Sequence, residues 1–357
     1  MSWEGARIEA FEVVPFALRF HEPYVTARGR LEERQLALLR LRSEGAEGLG
    51  EAAPLNLRGG TPLALVVEEL DALWRPQLVG EQLSGDPEDH VRGVAEFSRQ
   101  ARDAVKMALF DLVGRLSDVP VWRLLGASAA APVPCNATLV AGEPDTVARH
   151  AREWAARGFE TFKLKAGMDG DVETVNAVRD AVGPQAQLRI DANGSWSVDV
   201  AAERLRQMSP LELAEQPVAT LDEMAALRER TDVLLSADES VVTLEDAEAA
   251  AHVCDAATVK LAKVGGPRAA MLIAERIPVY LSSALDGPVG IAAAGHVAQA
   301  IEDRGFAHGL ATSLLFAETI AAQECSVADG HLHLASGPGL GVEIDEDALT
   351  SRRISLG

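Results

Sequence analysis

Lysine is scarce in this chain and unevenly placed. Of 33 Lys and Arg residues only five are Lys (Lys106, Lys163, Lys165, Lys260 and Lys263), and four of the five fall in two short segments. Arg can hold charge but does not lose a proton near neutral pH, whereas a lysine can serve as a base. Lys163 and Lys165 are two apart in Thr161–Lys165, so on a strand both side chains point to one face. Two neighbouring ammonium groups, partly desolvated and close to a divalent cation, depress each other's pKa, which makes one of them a base near neutral pH.

Acidic residues follow at matching intervals. Lys165, Asp191, Glu215, Asp238 and Lys260 are separated by 26, 24, 23 and 22 residues, each about one strand-plus-helix unit. Five consecutive strands would then deliver Lys, Asp, Glu, Asp and Lys to the same rim of a barrel. Three carboxylates gathered there repel one another unless a cation sits among them. Oxygen-only ligation suits a hard ion, so Asp191, Glu215 and Asp238 are expected to hold Mg2+, with Mn2+ as a substitute. Lys260 lies across from Lys165 by strand count, which places a lysine on each face of a bound substrate. Lys263 reads as a loop or helix-start residue. A divalent metal on a carboxylate acidifies the adjacent C–H, and flanking ammonium groups stabilise the enediolate that forms. Abstraction of a proton α to a carboxylate is the expected first step.

The elements that must position these groups are legible as alternating short apolar runs and amphipathic helices. The strand candidates are Val133–Leu139, Thr161–Lys165, Gln187–Asp191, Leu211–Glu215, Val233–Ala237, Ala256–Lys260, Val279–Ser282 and Gly305–Leu310. Such alternation implies parallel strands joined by crossovers, and eight units are the count for an α/β barrel. The helix after Gly266 has only Pro267–Glu275 available and is expected to be short. Upstream, Ile8–Leu18 and Gln35–Ser43 read as strands of a meander, His21–Leu31 as a mobile polar loop and Gly45–Gly50 as a turn. Apolar residues at three- and four-residue steps mark a helix over Ser98–Leu116, ended by Pro120 and Gly126. The Ala- and Pro-containing stretch Ala127–Pro134 is the expected domain boundary.

Composition bounds the partners. The chain has 357 residues, a formal charge of −21 and a pI near 4.8, which disfavours nucleic acid as the main partner. At 48% hydrophobic and 24% charged it is globular. Glu4, Glu9 and Glu12 interrupt any secretory signal, and Val279–Ile301 is too often broken by polar residues to span a membrane. A cytoplasmic location is the expectation. Cys135, Cys254 and Cys325 lack metal or disulfide spacing and read as isolated packed thiols of a reducing compartment. The expected partner is a small carboxylate; a homo-oligomer is allowed but not required by the sequence.

Taken together, Lys163-Leu-Lys165, Asp191-Ala-Asn193, Glu215-Gln-Pro217, Asp238-Glu-Ser240, Lys260-Leu-Ala-Lys263-Val-Gly-Gly266 and the helix Arg102–Leu112 resemble the enolase superfamily, in particular its muconate-lactonizing subgroup. The resemblance implies a (β/α)7β barrel (127–325) under an N-terminal α+β cap domain (1–126), with a C-terminal tail (326–357) returning to the cap. It also implies Lys165 as base, Lys163 as its electrostatic neighbour and Lys260 as the opposite-face lysine. Ser282–Ala293, His308–Leu315 and Glu51–Leu55 are most similar to o-succinylbenzoate synthases of menaquinone biosynthesis. That similarity implies a Mg2+-assisted elimination of water, with Ser282, Ser283, Thr312, Ser313 and Asn193 at the substrate. The eighth-strand segment lacks the paired aspartates of dipeptide epimerases. An N-acylamino acid racemase or epimerase, a muconate-type cycloisomerase and, more remotely, a non-catalytic metal-binding barrel are the alternatives. Arg28 and Arg30 could meet an anionic substrate or face water.

Overall fold

The structure is a computed structural model that describes residues 3–26, 29–54, 60–91, 98–208, 210–303 and 305–356. Three antiparallel strands, β1 (Ala10–Thr26), β2 (Gly29–Ser43) and β3 (Ala46–Ala52), form the N-terminal sheet in the order β1-β2-β3. Its strands carry apolar residues on both faces because both faces are covered. Val14, Phe16, Leu18, Leu36 and Leu38 belong to the core shared with the barrel, while Ala37, Leu39 and Leu41 pack into a second core with the N-terminal helices. These helices are α1 (Leu63–Glu69), α2 (Arg75–Leu78), α3 (Arg99–Ser117) and α4 (Val121–Leu124).

Three sequence readings of this region are corrected. His21–Leu31 is not a loop: β1 and β2 continue as a hairpin to the pair Thr26↔Gly29. The register shifts between Arg19 and Tyr24, where Phe20 leaves the ladder to stack on Phe316 at 4.9 Å and Pro23, which has no N–H, costs no ladder bond. Arg28 lies outside the described residues. Gly45–Gly50 is a turn only at its start, and the rest is β3. Gly48 and Gly50 are there because α3 crosses the strand at backbone contact; a Cβ on Gly50 would overlap the Ala104 carbonyl. Helix α3 begins where expected, with Ser98 Oγ accepting from Ala101 N, but it ends at a left-handed Asp118 rather than at Pro120.

The parallel sheet runs in the order β11-β10-β9-β8-β7-β6-β5. In chain order these strands are β5 (Asn136–Leu139), β6 (Thr161–Lys165), β7 (Gln187–Asp191), β8 (Leu213–Glu215), β9 (Leu234–Ala237), β10 (Ala256–Val259) and β11 (Val279–Leu281). Helices α5 (Pro144–Ala155), α6 (Asp171–Val182), α7 (Val198–Met208), α8 (Leu221–Arg228) and α9 (Leu244–Ala250) alternate with them, followed by α10 (Leu261–Val264), α11 (Pro267–Ala274) and α12 (Pro288–Ala298). As expected, α11 is short. The barrel interior is filled, with the Arg189 guanidinium 4.8 Å from the Tyr280 ring centroid.

The expected first and eighth strands are corrected. Val133–Leu139 divides into β4 (Val133–Pro134), which pairs outside the barrel, and β5. Gly305–Leu310 contributes two parallel bridges, Cys135↔His308 and Ser282↔Gly309, instead of a strand. These still close the ring: Asn136 N donates to His308 O (2.9 Å) and Gly309 N to Leu281 O (2.8 Å). Leu281 N is satisfied by His308 Nδ1 at 2.9 Å, and burial holds that imidazole neutral, with its pKa lowered to about 4. A side chain thus supplies a bond that a longer strand would draw from backbone.

After the barrel, β12 (Ala321–Gln323) pairs with β15 (Glu343–Ile344), and β13 (Ser326–Ala328) and β14 (His331–His333) extend to β4. Helix α13 (Glu346–Arg352) lies by the N-terminal sheet: Arg40 pairs with Glu346 at 2.8 Å and Ile354 N donates to Pro15 O. The three cysteines are buried and free. Among the described residues no helix is long and apolar enough to cross a membrane.

Candidate active site

In-register pairing sets the floor of the site. Lys165 is paired with Asp191 between β6 and β7, Asp191 with Glu215 between β7 and β8, and Glu215 with Ser236 between β8 and β9. Asp238 follows β9 by one residue and Lys260 follows β10. All five groups therefore emerge at the C-terminal rim. The carboxylates of Asp191, Glu215 and Asp238 are fully buried.

Lysines face them closely. Lys163 Nζ is 2.6 Å from Glu215 Oε2 and 3.1 Å from Asp191 Oδ2. Lys165 Nζ is 2.7 Å from Asp191 Oδ2 and 3.3 Å from Asn193 Oδ1. On the far side Lys260 pairs with Asp238 Oδ2, and Lys263 Nζ donates to Asp238 Oδ1 (2.8 Å) and Thr258 O (2.9 Å). Burial pulls the Lys163 pKa down, but the Asp191 and Glu215 carboxylates outweigh it and, with no metal between them, hold the value well above the ordinary lysine range, which suits Lys163 as a cationic neighbour of Lys165. Lys263 sits in the first turn of α10, a helix-start residue as expected, and is buried there, anchoring Asp238.

Three further residues have no signature in strand spacing. Tyr280, on β11, donates its OH to Glu215 Oε2 (2.8 Å) and accepts from Thr258 Oγ1 (2.6 Å). Gln216 has φ +37°, a conformation that costs about 1–3 kcal/mol. Its side chain joins two strand ends, accepting from Asp238 N (2.9 Å) and donating to Ser240 Oγ (2.7 Å). The signal for Gln216 was its place directly after a proposed ligand; Tyr280 and Arg34, discussed below, had none.

The floor opens into a cavity of about 390 Å3 lined by Lys163, Lys165, Asp191, Asn193, Lys260, Ser282, Ser283 and Thr312. The N-terminal sheet covers it with Tyr24, Leu31, Arg34 and neighbours. Glu215 and Asp238 lie beneath the lining. Ser313, in the same short turn as Thr312, is not among the lining residues. Thr312 Oγ1 is buried with no hydrogen-bond partner among the described residues. Arg30, at the rim, pairs with exposed Glu32 at 2.8 Å. Four lysines beside three carboxylates make the floor and mouth of the site far less negative than the chain's net charge of −21, which suits an anionic substrate.

A divalent cation fits the donor chemistry of this floor. Glu215 Oε1 is buried and has no partner among the described residues, and the three ligand candidates are hard oxygen donors. In the arrangement described, no three acidic groups converge as a cluster ready to hold an ion; lysines engage their oxygens instead.

Two family descriptions match the chain. "Mandelate racemase / muconate lactonizing enzyme, N-terminal domain" covers residues 8–126, and "Enolase C-terminal domain-like" covers 146–348. An o-succinylbenzoate synthase of Thermobifida fusca (strain YX) is 42% identical over 195 residues, half of this chain and 59% of that protein; the match thus spans less than two thirds of that relative. Muconate lactonizing enzyme from Pseudomonas fluorescens, solved with muconolactone, superposes with a TM-score of 0.93 at 28% identity over 98% of this chain and 100% of that one. N-succinyl Arg/Lys racemase from Bacillus cereus ATCC 14579 gives 0.91 at 25% identity over 98% of both. With the fold, the ordered rim of lysines and carboxylates, and both domain matches in agreement, the chain belongs to the enolase superfamily of enzymes.

Proposed function

We propose that this enzyme is a lyase of the o-succinylbenzoate synthase kind, removing a proton α to a carboxylate and eliminating water from a cyclohexadiene carboxylate that carries a hydroxyl and a succinyl arm. The observation that carries the reading is the placing of Lys165, at the end of β6, and Lys260, directly after β10, at strand ends four apart around one cavity. The likeness to the o-succinylbenzoate synthase of Thermobifida fusca supports this chemistry over others of the superfamily.

Asp191, Glu215 and Asp238 would hold the divalent cation, Mg2+ or Mn2+. Bound there, the ion would make the C–H beside a carboxylate more acidic. Lys165 Nζ takes the α-proton and the C–H electron pair moves towards the carboxylate as an enediolate; that pair then becomes the new C=C bond as the C–O bond breaks, and Lys165 returns the proton to the departing hydroxide on the same face. Lys260 stays protonated and offsets the negative charge that builds on the substrate carboxylate. Lys163 remains a cation and fixes Asp191 and Glu215. Ser282, Ser283, Asn193 and the unpartnered Thr312 hydroxyl hold the substrate.

The same pair of lysines suits a racemase, in which one removes a proton and the other delivers one to the opposite face, and the likeness to the N-succinyl Arg/Lys racemase favours this second reading. The purified enzyme with Mg2+ in D2O separates the two. Aromatic product from the cyclohexadiene substrate, without deuterium entry into an N-succinyl amino acid, supports the lyase. Deuterium entry with inversion and no aromatic product overturns it. Lys165→Ala is expected to abolish turnover, and full activity in that variant would refute the mechanism.

A further inference from the structure

One wall of the cavity is the segment Ser282, Ser283, Ala284 and Leu285, which leads from β11 into α12 and includes a left-handed Leu285 (φ +62°). Two buried side chains of the N-terminal sheet reach it. Arg34, on β2, lines the cavity and is the obvious partner for a substrate carboxylate. Its hydrogen bonds go elsewhere: Nε donates to Leu285 O (3.1 Å), Nη2 to Ala284 O (3.1 Å) and Pro54 O, and Nη1 to Gln35 O (3.4 Å).

Glu51, on β3, supplies the other contact. Its Oε1 accepts from Gly287 N at 2.7 Å, at the start of α12, where Gly287 has no side chain to cap the helix and Pro288 has no N–H. A Cβ on Gly287 would lie 2.6 Å from Glu51 Oε2, and one on Gly290 would lie 2.9 Å from Oε1. Both glycines leave room for a carboxyl from the other side of the domain interface. Within the segment, Asp286 N donates to Ser283 Oγ (2.8 Å) and Ala284 N to Asp286 Oδ2 (2.9 Å), so the two outside contacts grip an already folded loop.

We infer that Arg34 and Glu51 are positioning residues that clamp the Ser282–Gly287 wall of the active site onto the N-terminal sheet, and that Arg34 does not bind the substrate carboxylate. Burial and the neighbouring Asp286 push the Glu51 carboxyl up to about 8, so glutamine reproduces both its shape and its charge at neutral pH. The clamp holds whichever substrate the cavity takes; only its effect on turnover rests on the function proposed above.

Hydrogen exchange followed by mass spectrometry on the full chain tests the clamp without turnover. Glu51→Ala and Arg34→Met are expected to speed exchange in the peptide spanning residues 281–291 by roughly fivefold to tenfold, the size of a lost helix cap, while Glu51→Gln leaves it unchanged. Should Glu51→Ala not fold, Gly287→Ala displaces the same carboxyl and should speed the same peptide. Wild-type exchange in these folded variants overturns the inference. A second readout uses Arg34→Lys on the succinyl-bearing substrate and its arm methyl ester: kcat falls equally on both, with the KM ratio unmoved. A KM increase confined to the free acid would make Arg34 a carboxylate binder and also overturn it. Absence of turnover in the wild type would count against the proposed function alone, since exchange still decides the clamp.

Discussion

Replacing Tyr280 with Phe removes one oxygen from the floor of the site and leaves the ring in place, gripped by the Arg189 guanidinium 4.8 Å away. The lost hydroxyl made two bonds between fully buried groups. The bond to Glu215 Oε2 (2.8 Å) is charge-assisted and is worth about 1.5–3 kcal/mol, and that from Thr258 Oγ1 about 0.5–1.5 kcal/mol. Thr258 keeps a 3.3 Å contact with Ser236 Oγ, and Glu215 keeps Lys163, so the expected loss is about 2–4 kcal/mol. In a chain of this size that is a fall in Tm of roughly 3–5 °C, measured by calorimetry with and without Mg2+. Glu215 also loses one of the two donors that orient it, and a partner of this kind typically alters cation affinity 10- to 100-fold. The Mg2+ concentration for half-maximal activity should rise by about that factor. A Tm within 1 °C of wild type would refute the hydrogen-bond account, and a lowered Tm with an unmoved Mg2+ requirement would refute the assignment of Glu215 as a ligand.

Lys263→Met should lower both stability, by about 3–5 kcal/mol, and kcat, because it leaves the buried Asp238 carboxylate with one ammonium fewer; denaturant melts and turnover measured together check it, and wild-type values for both would contradict the anchoring role. Gly50→Ala should cost at least about 1–3 kcal/mol by driving α3 off the sheet, read as a lower Tm with the loss concentrated in exchange of α3 amides. Stability should also depend on pH through Glu51: burial raises its pKa from 4.5 to about 8, so the folded protein retains a proton that the unfolded chain has released. Stability from this group is full below about pH 4.5 and falls as pH rises towards 8. Glu51→Gln should flatten the fall of Tm between pH 6 and pH 8, and an unchanged slope would exclude Glu51 as its source.

The sequence by itself determined the parts of this protein that are local or periodic. Thr161–Lys165 and Gln187–Asp191 are strands with the boundaries their residues imply, and the intervals between strand ends bring Lys165, Asp191, Glu215, Asp238 and Lys260 to one rim, because a βα unit has a narrow range of lengths. Ser98 capping α3 is likewise a signal contained in a few residues. Tertiary structure decided what depends on a partner distant in the chain. Gly48 and Gly50 look like turn residues until α3 lies across them, and Gly305–Leu310 reads as a strand until His308 replaces a backbone bond with its ring. Lys263 reads only as a loop or helix-start residue until Asp238 is placed against it, and the charge of Lys163 is held by Asp191 and by Glu215, 52 positions away. Side-chain spacing specifies which face a residue presents; the identity of the group it meets there, and hence its protonation and its role, exists only once the strands are paired.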